Sequence, residues 1–273
     1  MINLENEELL VNVSTHGSEL TGVFYKKANQ EVLYDGKGNW DHSDHVLFPI
    51  IGDNRAFAIK GRAHFIPGTH GIARFSDFEV KSQSKDSVTL SLTHQSDDAY
   101  PFNCQINVTT RLEKNQIIRE TEIVSLDKVD MAFQYGLHPA FICDFSNSSL
   151  EIAEDSVSLE LESGVIQRRT PWPFVSPWKI ERPYIEQRDT LVLTNPKGKV
   201  ALHNGNGRTI SLISSCPYFA IWTPGKPCKN DFICLESWYG VSPYVGIPLE
   251  LGNRDHAQKT KDVANYRDVL IIE

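Results

Sequence analysis

The sequence predicts an all-β fold, a large antiparallel β-sandwich, on three observations. Apolar and polar residues alternate with a period of two along many short segments rich in Val, Ile and Thr. Turn signals break these segments at roughly 8–12-residue spacing. No long segment carries the 3.6-residue period of an amphipathic helix. Residues 87–94, 104–112 and 117–124 alternate most cleanly, with Gln95-Ser96-Asp97-Asp98 and Glu113-Lys114-Asn115 as turns between them. The pattern returns at 156–161, 189–193, 199–203 and 209–213. Many short strands without helical interludes fit a sandwich in which each sheet buries one face. Residues 255–266 are polar enough to read as a surface helix or loop. Residues 170–178 hold three prolines and two tryptophans and are too apolar for a linker, so they read as a packed loop at an edge or mouth of the sandwich. No Gly-, Ser- or Pro-rich linker, repeat or low-complexity tract divides the chain, which predicts a single domain over residues 1–273.

Charge and composition exclude several classes of function. The chain has 27 basic and 35 acidic side chains, a net charge of −8, which argues against a nucleic-acid partner needing a clustered basic face. No stretch approaches the ~20 apolar residues of a membrane span, so no membrane partner is expected. The opening residues 1–8 are acidic and lack an apolar core, unlike a signal peptide, which predicts a cytoplasmic protein. Cys104, Cys143, Cys216, Cys228 and Cys234 are odd in number and contain no Cys-x-x-Cys, so they read as free thiols in a reducing compartment.

Four patches break the alternation and carry reactive side chains: residues 47–55, 69–74, 136–141 and 232–240. Each has a plain structural reading. His70 beside Gly71 is a common turn pair. His138 precedes Pro139, which cannot donate to a sheet ladder, so the strand ends or bends there and exposes the imidazole at a rim. Glu236 ends the apolar run from Phe232 to Leu235, where a carboxylate either pairs with a neighbour or faces a cleft with its pKa shifted by burial. Trp222 and Trp238 suit a core as well as a sugar platform, and Lys226 and Lys229 read as solvated loop charges. Taken together, two His, one Glu and one Arg at strand ends can converge in one cleft. No His-x-His, His-x-x-x-His or acidic cluster has metal-ligand spacing, so no metal is expected. No Gly-x-Ser-x-Gly or phosphate-cradling glycine loop is present. Acid–base chemistry by a carboxylate and imidazoles, without a cofactor, remains.

These patches, in this order, resemble the aldose 1-epimerase (galactose mutarotase-like) family, and most closely its bacterial LacX-like branch. Gly17-Ser18-Glu19-Leu20, Trp40 and Leu47-Phe48-Pro49-Ile50-Ile51-Gly52 are similar to that branch's N-terminal third. His70-Gly71-Ile72-Ala73-Arg74 resembles its His-Gly-Phe-Ala-Arg motif with Ile for Phe, Gly136-Leu137-His138-Pro139-Ala140-Phe141 its second histidine motif, and Ile233-Cys234-Leu235-Glu236 its late Cys-Leu-Glu strand. The resemblance runs from about Leu10 to Glu250. It implies a β-supersandwich with a sugar cleft on a concave sheet, and interconversion of the α and β anomers of a free aldose. In that reading Glu236 is the base on the anomeric hydroxyl and His138 the acid on the ring oxygen. His70 binds the sugar and polarises the ring oxygen, and Arg55 contacts the sugar. The family's sugar-gripping Asp has no clear counterpart; Asp189 is the nearest by position. Trp222 or Trp238 would wall the sugar's C–H face. The expected partner is a small-molecule aldose, and the expected assembly a monomer or homodimer. The alternatives are a carbohydrate-binding or sugar-sensing protein on the same fold, and a different isomerase or lyase. A phosphosugar would need basic groups such as Arg55 and Arg74.

Overall fold

The computed structural model describes residues 1–38, 40–162, 165–188, 190–225, 231–243 and 250–273. Two broad sheets dominate, and every ladder between named strands is antiparallel. The first has nine strands, in the spatial order Trp178–Lys179, Ser149–Glu151, Lys199–Asn204, Arg208–Ser214, Val263–Ile272, Gln116–Ser125, Cys104–Glu113, Ser87–His94 and Glu79–Gln83. Its hairpins follow the alternation in the sequence. In Cys104–Glu113 the residues Cys104, Ile106, Val108, Thr110 and Leu112 are buried, while Gln105, Asn107 and Thr109 lie on the other face. Lys114 turns this strand into the next with φ +52°.

The second sheet orders Val165–Pro171, Val157–Glu162, Leu191–Thr194, Tyr218–Trp222, Phe232–Tyr239, Tyr135–Leu137 and Val46–Leu47, with Ala140–Ile142 also pairing with Phe232–Tyr239. The central strand Phe232–Tyr239 is buried at every residue. Its two faces serve different ends. Ile233, Leu235 and Tyr239 join the main core together with Ile106, Val108, Leu212 and Leu270 of the first sheet. Trp238 packs on the other face with Leu47, Val192, Tyr218 and Ala220. A four-stranded sheet, Ile2–Glu5, Leu9–Val13, Leu20–Tyr25 and Gln30–Glu31, adds Leu4, Leu9 and Val11 to the main core. At roughly 1.5–3 kcal/mol for each large apolar side chain fully buried, this shared core is the main driving force for holding the sheets face to face.

One expectation is corrected. Residues 255–266 form neither a helix nor a long loop: Gln258–Thr260 pairs with Met131–Phe133, and Val263–Ile272 is a central strand of the nine-stranded sheet. The polar residues are the outward half of an alternation whose inward half holds Tyr266, Asp268 and Leu270. The aromatic stretch packs as expected: Trp172 and Trp178 are buried, their rings 5.3 Å apart, and Trp178–Lys179 forms a sheet edge. The short helix Arg182–Glu186 follows it, with Pro183 in its first turn. The four described cysteines are buried and free, and Cys228, Lys226 and Lys229 lie outside the described residues.

Candidate active site

Register places His138 opposite Glu236. Leu137 pairs with Ser237 and Ala140 with Cys234 across the same two chain segments. Counting inward from either pair sets His138 against Glu236, where opposite residues share one face with Cβ atoms about 5 Å apart. The ladder is interrupted there because Pro139 has no N–H to give, though its carbonyl accepts from Leu235 N–H at 3.2 Å. The interruption lets both side chains turn toward each other: His138 Nε2 lies 3.2 Å from Glu236 Oε1. The Trp238 indole N–H, two residues along the same face, donates to Glu236 Oε2 at 2.8 Å. Close approach of the strands depends on Gly136, where a Cβ would lie 2.4 Å from the Ser237 carbonyl oxygen.

His70 arrives from a different segment. Its backbone is left-handed, with φ +64°, and Gly71 follows at φ +89°. A Cβ on Gly71 would meet the Phe48 carbonyl oxygen at 2.1 Å, so the motif requires glycine. The turn is stitched to residues 48–52: His70 N–H donates to the Gly52 carbonyl at 3.0 Å, and Phe48 N–H to the His70 carbonyl at 3.1 Å. Gly52 N–H donates to His70 Nδ1 at 3.1 Å. A neutral imidazole accepting at Nδ1 carries its proton on Nε2, so this ring is a donor through its other nitrogen. The His70 and His138 rings stand 5.3 Å apart.

His70, His138 and Glu236 line one cavity of about 600 Å³ with Trp222 and Trp238, joined by Trp40, Asp53, Thr69, Arg74, Thr190 and Ser242. Trp40 and Trp222 are half-buried, and each approaches His138, at 5.0 and 6.1 Å between rings. Arg55 is not part of the lining. It pairs with Asp53 at 2.8 Å and donates to the Pro67 carbonyl at 3.3 Å, so it reaches the cavity only through Asp53. Asp189 lies outside the described residues; its neighbour Thr190 lines the cavity. Arg74, read from sequence as part of a motif and as a basic group a phosphosugar would need, lines the wall with its Nε buried and without a hydrogen-bond partner. His45, not singled out from sequence, is buried with its ring 4.8 Å from that of His138. The cue was present in Asp41-His42-Ser43-Asp44-His45, a histidine-rich run just before the strand Val46–Leu47.

Burial sets the electrostatics. It pushes Glu236 well above the usual carboxylate range, opposed by the Trp238 N–H and the Arg74 guanidinium. It pulls His138 down to about 3, with Arg74 and His42 adding to the shift. Burial, His138 and Arg74 hold His70 well below an ordinary histidine. The pair therefore resists net charge. One proton shared between Oε1 and Nε2 gives either acid plus imidazole or carboxylate plus imidazolium, and both are neutral overall. Two groups of side chains also offer metal donors within 4.8 Å of one another: His45, His70 and His138, and His138, Cys234 and Glu236. Local spacing could not reveal them, because each group draws on more than one segment of the chain.

The chain matches the family model described as aldose 1-epimerase over residues 1–254. It is 28% identical to the chromosomal LacX protein of Lactococcus lactis subsp. lactis, with 95% of this chain and 94% of that protein covered. A galactose mutarotase related enzyme from Lactobacillus acidophilus superposes with a TM-score of 0.91 at 22% identity, covering 100% of this chain and 97% of that one. A galactose mutarotase-like protein from Lactobacillus casei gives 0.88 at 23% identity, covering 100% and 99%. These likenesses show that the sandwich is the galactose mutarotase-like one.

Proposed function

The chain belongs to the aldose 1-epimerase family, and from that premise we propose that it is a mutarotase that interconverts the α and β anomers of an aldose in the cavity of His70, His138 and Glu236. The observation that carries this reading is the His138–Glu236 contact of 3.2 Å at the cavity wall. Ring opening removes a proton from the C1 hydroxyl and delivers one to the ring oxygen. Glu236 as carboxylate takes the first, and His138 as imidazolium gives the second. The C1–O5 bond breaks and an aldehyde forms. Rotation about C1–C2 then presents the other face, and reclosure returns both protons. Arg74 and the Trp238 N–H both favour the carboxylate form of Glu236, which is the form that can act as base. His70 Nε2–H donates to a sugar oxygen, its tautomer held by Gly52. Trp40 and Trp222 supply apolar faces for the sugar's C–H groups.

The same reading takes residues 1–273 as one working unit on a small-molecule aldose, in the cytoplasm, as a monomer or homodimer and without a cofactor. Among the described residues no helix is long and apolar enough to cross a membrane. Arg55, Asp189, Trp222 and Trp238 are assigned to substrate binding, Arg55 acting through Asp53. The test is polarimetry or NMR exchange with a panel of free aldoses. Anomer exchange faster than in buffer for at least one sugar is the expected result. Sugar binding with exchange no faster than buffer would replace the enzyme by a binding protein.

A further inference from the structure

His138 is shared by both groups of metal donors, and the two groups differ in fitness. In the three-histidine group, Gly52 N–H occupies His70 Nδ1 and leaves the proton on Nε2, so His70 has no lone pair to offer without losing that hydrogen bond. In the second group, a metal has only to displace the proton shared by His138 and Glu236. Cys234 and Glu236 stand two apart on one strand face, and His138 faces them from the neighbouring segment, with one donor atom from each within 4.8 Å of the others. Sulfur, nitrogen and carboxylate oxygen together are the donor types of a zinc-class site. A tetrahedral ion with bonds of about 2.0–2.3 Å needs its donors only slightly closer than this, a side-chain adjustment of about an ångström. An independent observation concerns His45. It is 1% exposed, neither ring nitrogen has a hydrogen-bond partner, and one of them lies within 4.8 Å of a His138 nitrogen. Glu236 Oε1 has no partner besides His138 Nε2, 3.2 Å away. Buried polar atoms are nearly always satisfied, so the unpaired His45 ring beside His138 marks a place where a further group fits.

We propose that Cys234, His138 and Glu236 form a binding site for a divalent transition metal of the zinc class, its fourth position open. Binding releases two protons to solvent, one from the Cys234 thiol and one held by the His138–Glu236 pair. The metal takes the His138 and Glu236 lone pairs that proton transfer needs, so its occupancy and anomer exchange exclude each other.

The test titrates cobalt(II), then zinc, into the metal-free protein. The wild type should give a near-ultraviolet thiolate-to-cobalt charge-transfer band that zinc abolishes. Cys234→Ser, nearly isosteric and outside the proposed acid–base pair, should lose the band and bind zinc at least about tenfold more weakly. One equivalent of zinc should stop anomer exchange, and a chelator should restore it. A wild type without the band, or a Cys234→Ser protein with unchanged band and zinc affinity, overturns the site. The readouts are separable. A cobalt band in a protein that never exchanges anomers keeps the metal site and removes the mutarotase. Exchange indifferent to zinc, with no band, does the reverse.

Discussion

Exchanging one imidazole for an amide separates binding from turnover at the His138–Glu236 contact. His138→Asn keeps a hydrogen-bond donor in the cavity but cannot cycle a proton. Sugar affinity should change by about tenfold or less, about 1.4 kcal/mol, while anomer exchange falls by roughly two orders of magnitude or more. Calorimetric binding and NMR exchange on the same preparation check both numbers; equal losses in the two would assign His138 to binding alone. The Arg74 guanidinium favours the Glu236 carboxylate, so Arg74→Met should move the acid limb of the rate profile to higher pH. An unmoved limb would remove Arg74 from the tuning of the base. Residues such as His70, His138 and Glu236 were legible because each interrupts an alternating or apolar run. His45 and Trp40 were not assigned to the site, because only tertiary folding brings them to His138.

Strands were the most legible elements. A period of two survives wherever one face is buried and the other wet, as in Cys104–Glu113. It was lost at residues 255–266, where a tight turn joins the short strand Gln258–Thr260 to Val263–Ile272 and Tyr266 is the only buried residue of the latter strand inside the stretch. Phe232–Tyr239 hid its boundary for the opposite reason. It is buried on both faces, so the carboxylate looked like a strand end when it is a strand centre. Gly136 tests how far the site depends on this strand's close pairing. Gly136→Ala puts a methyl within 2.4 Å of the Ser237 carbonyl oxygen, and backbone there cannot yield cheaply. The expected cost is about 1–3 kcal/mol in a urea unfolding curve. Exchange should fall even where the protein stays folded, since His138 and Glu236 sit on the separated segments. Wild-type stability and rate would show that the pairing tolerates a side chain.

Across the whole molecule, a buried polar cluster ties the two sheets together behind the cavity. Arg119 of the nine-stranded sheet pairs with Asp44, the neighbour of His45, and donates to the Ser18 carbonyl at 2.8 Å. Asp268 lies beside this pair and beside Ser237, the neighbour of Glu236. Two carboxylates share one guanidinium, and burial raises Asp268 to about 6. A carboxyl whose folded pKa lies above its unfolded value near 3.9 stabilises most below the unfolded pKa and loses that contribution as pH rises through the folded one. Stability from this group should fall by about 2 kcal/mol between roughly pH 4 and pH 6. Asp268→Asn should flatten that difference in chemical unfolding; an identical pH profile in both proteins would refute it. Such a cluster is invisible in sequence, because its members are separated by long stretches of chain and two of them look like ordinary outward charges.

The account rests on one carboxylate acting as a base in the shared cavity. The direct test is anomer exchange by NMR in wild type and Glu236→Gln, with folding checked by unfolding curves. Acid–base catalysis predicts exchange faster than buffer in the wild type and a drop of about 10²-fold or more in a folded Glu236→Gln protein. Near-wild-type exchange in that variant would contradict it.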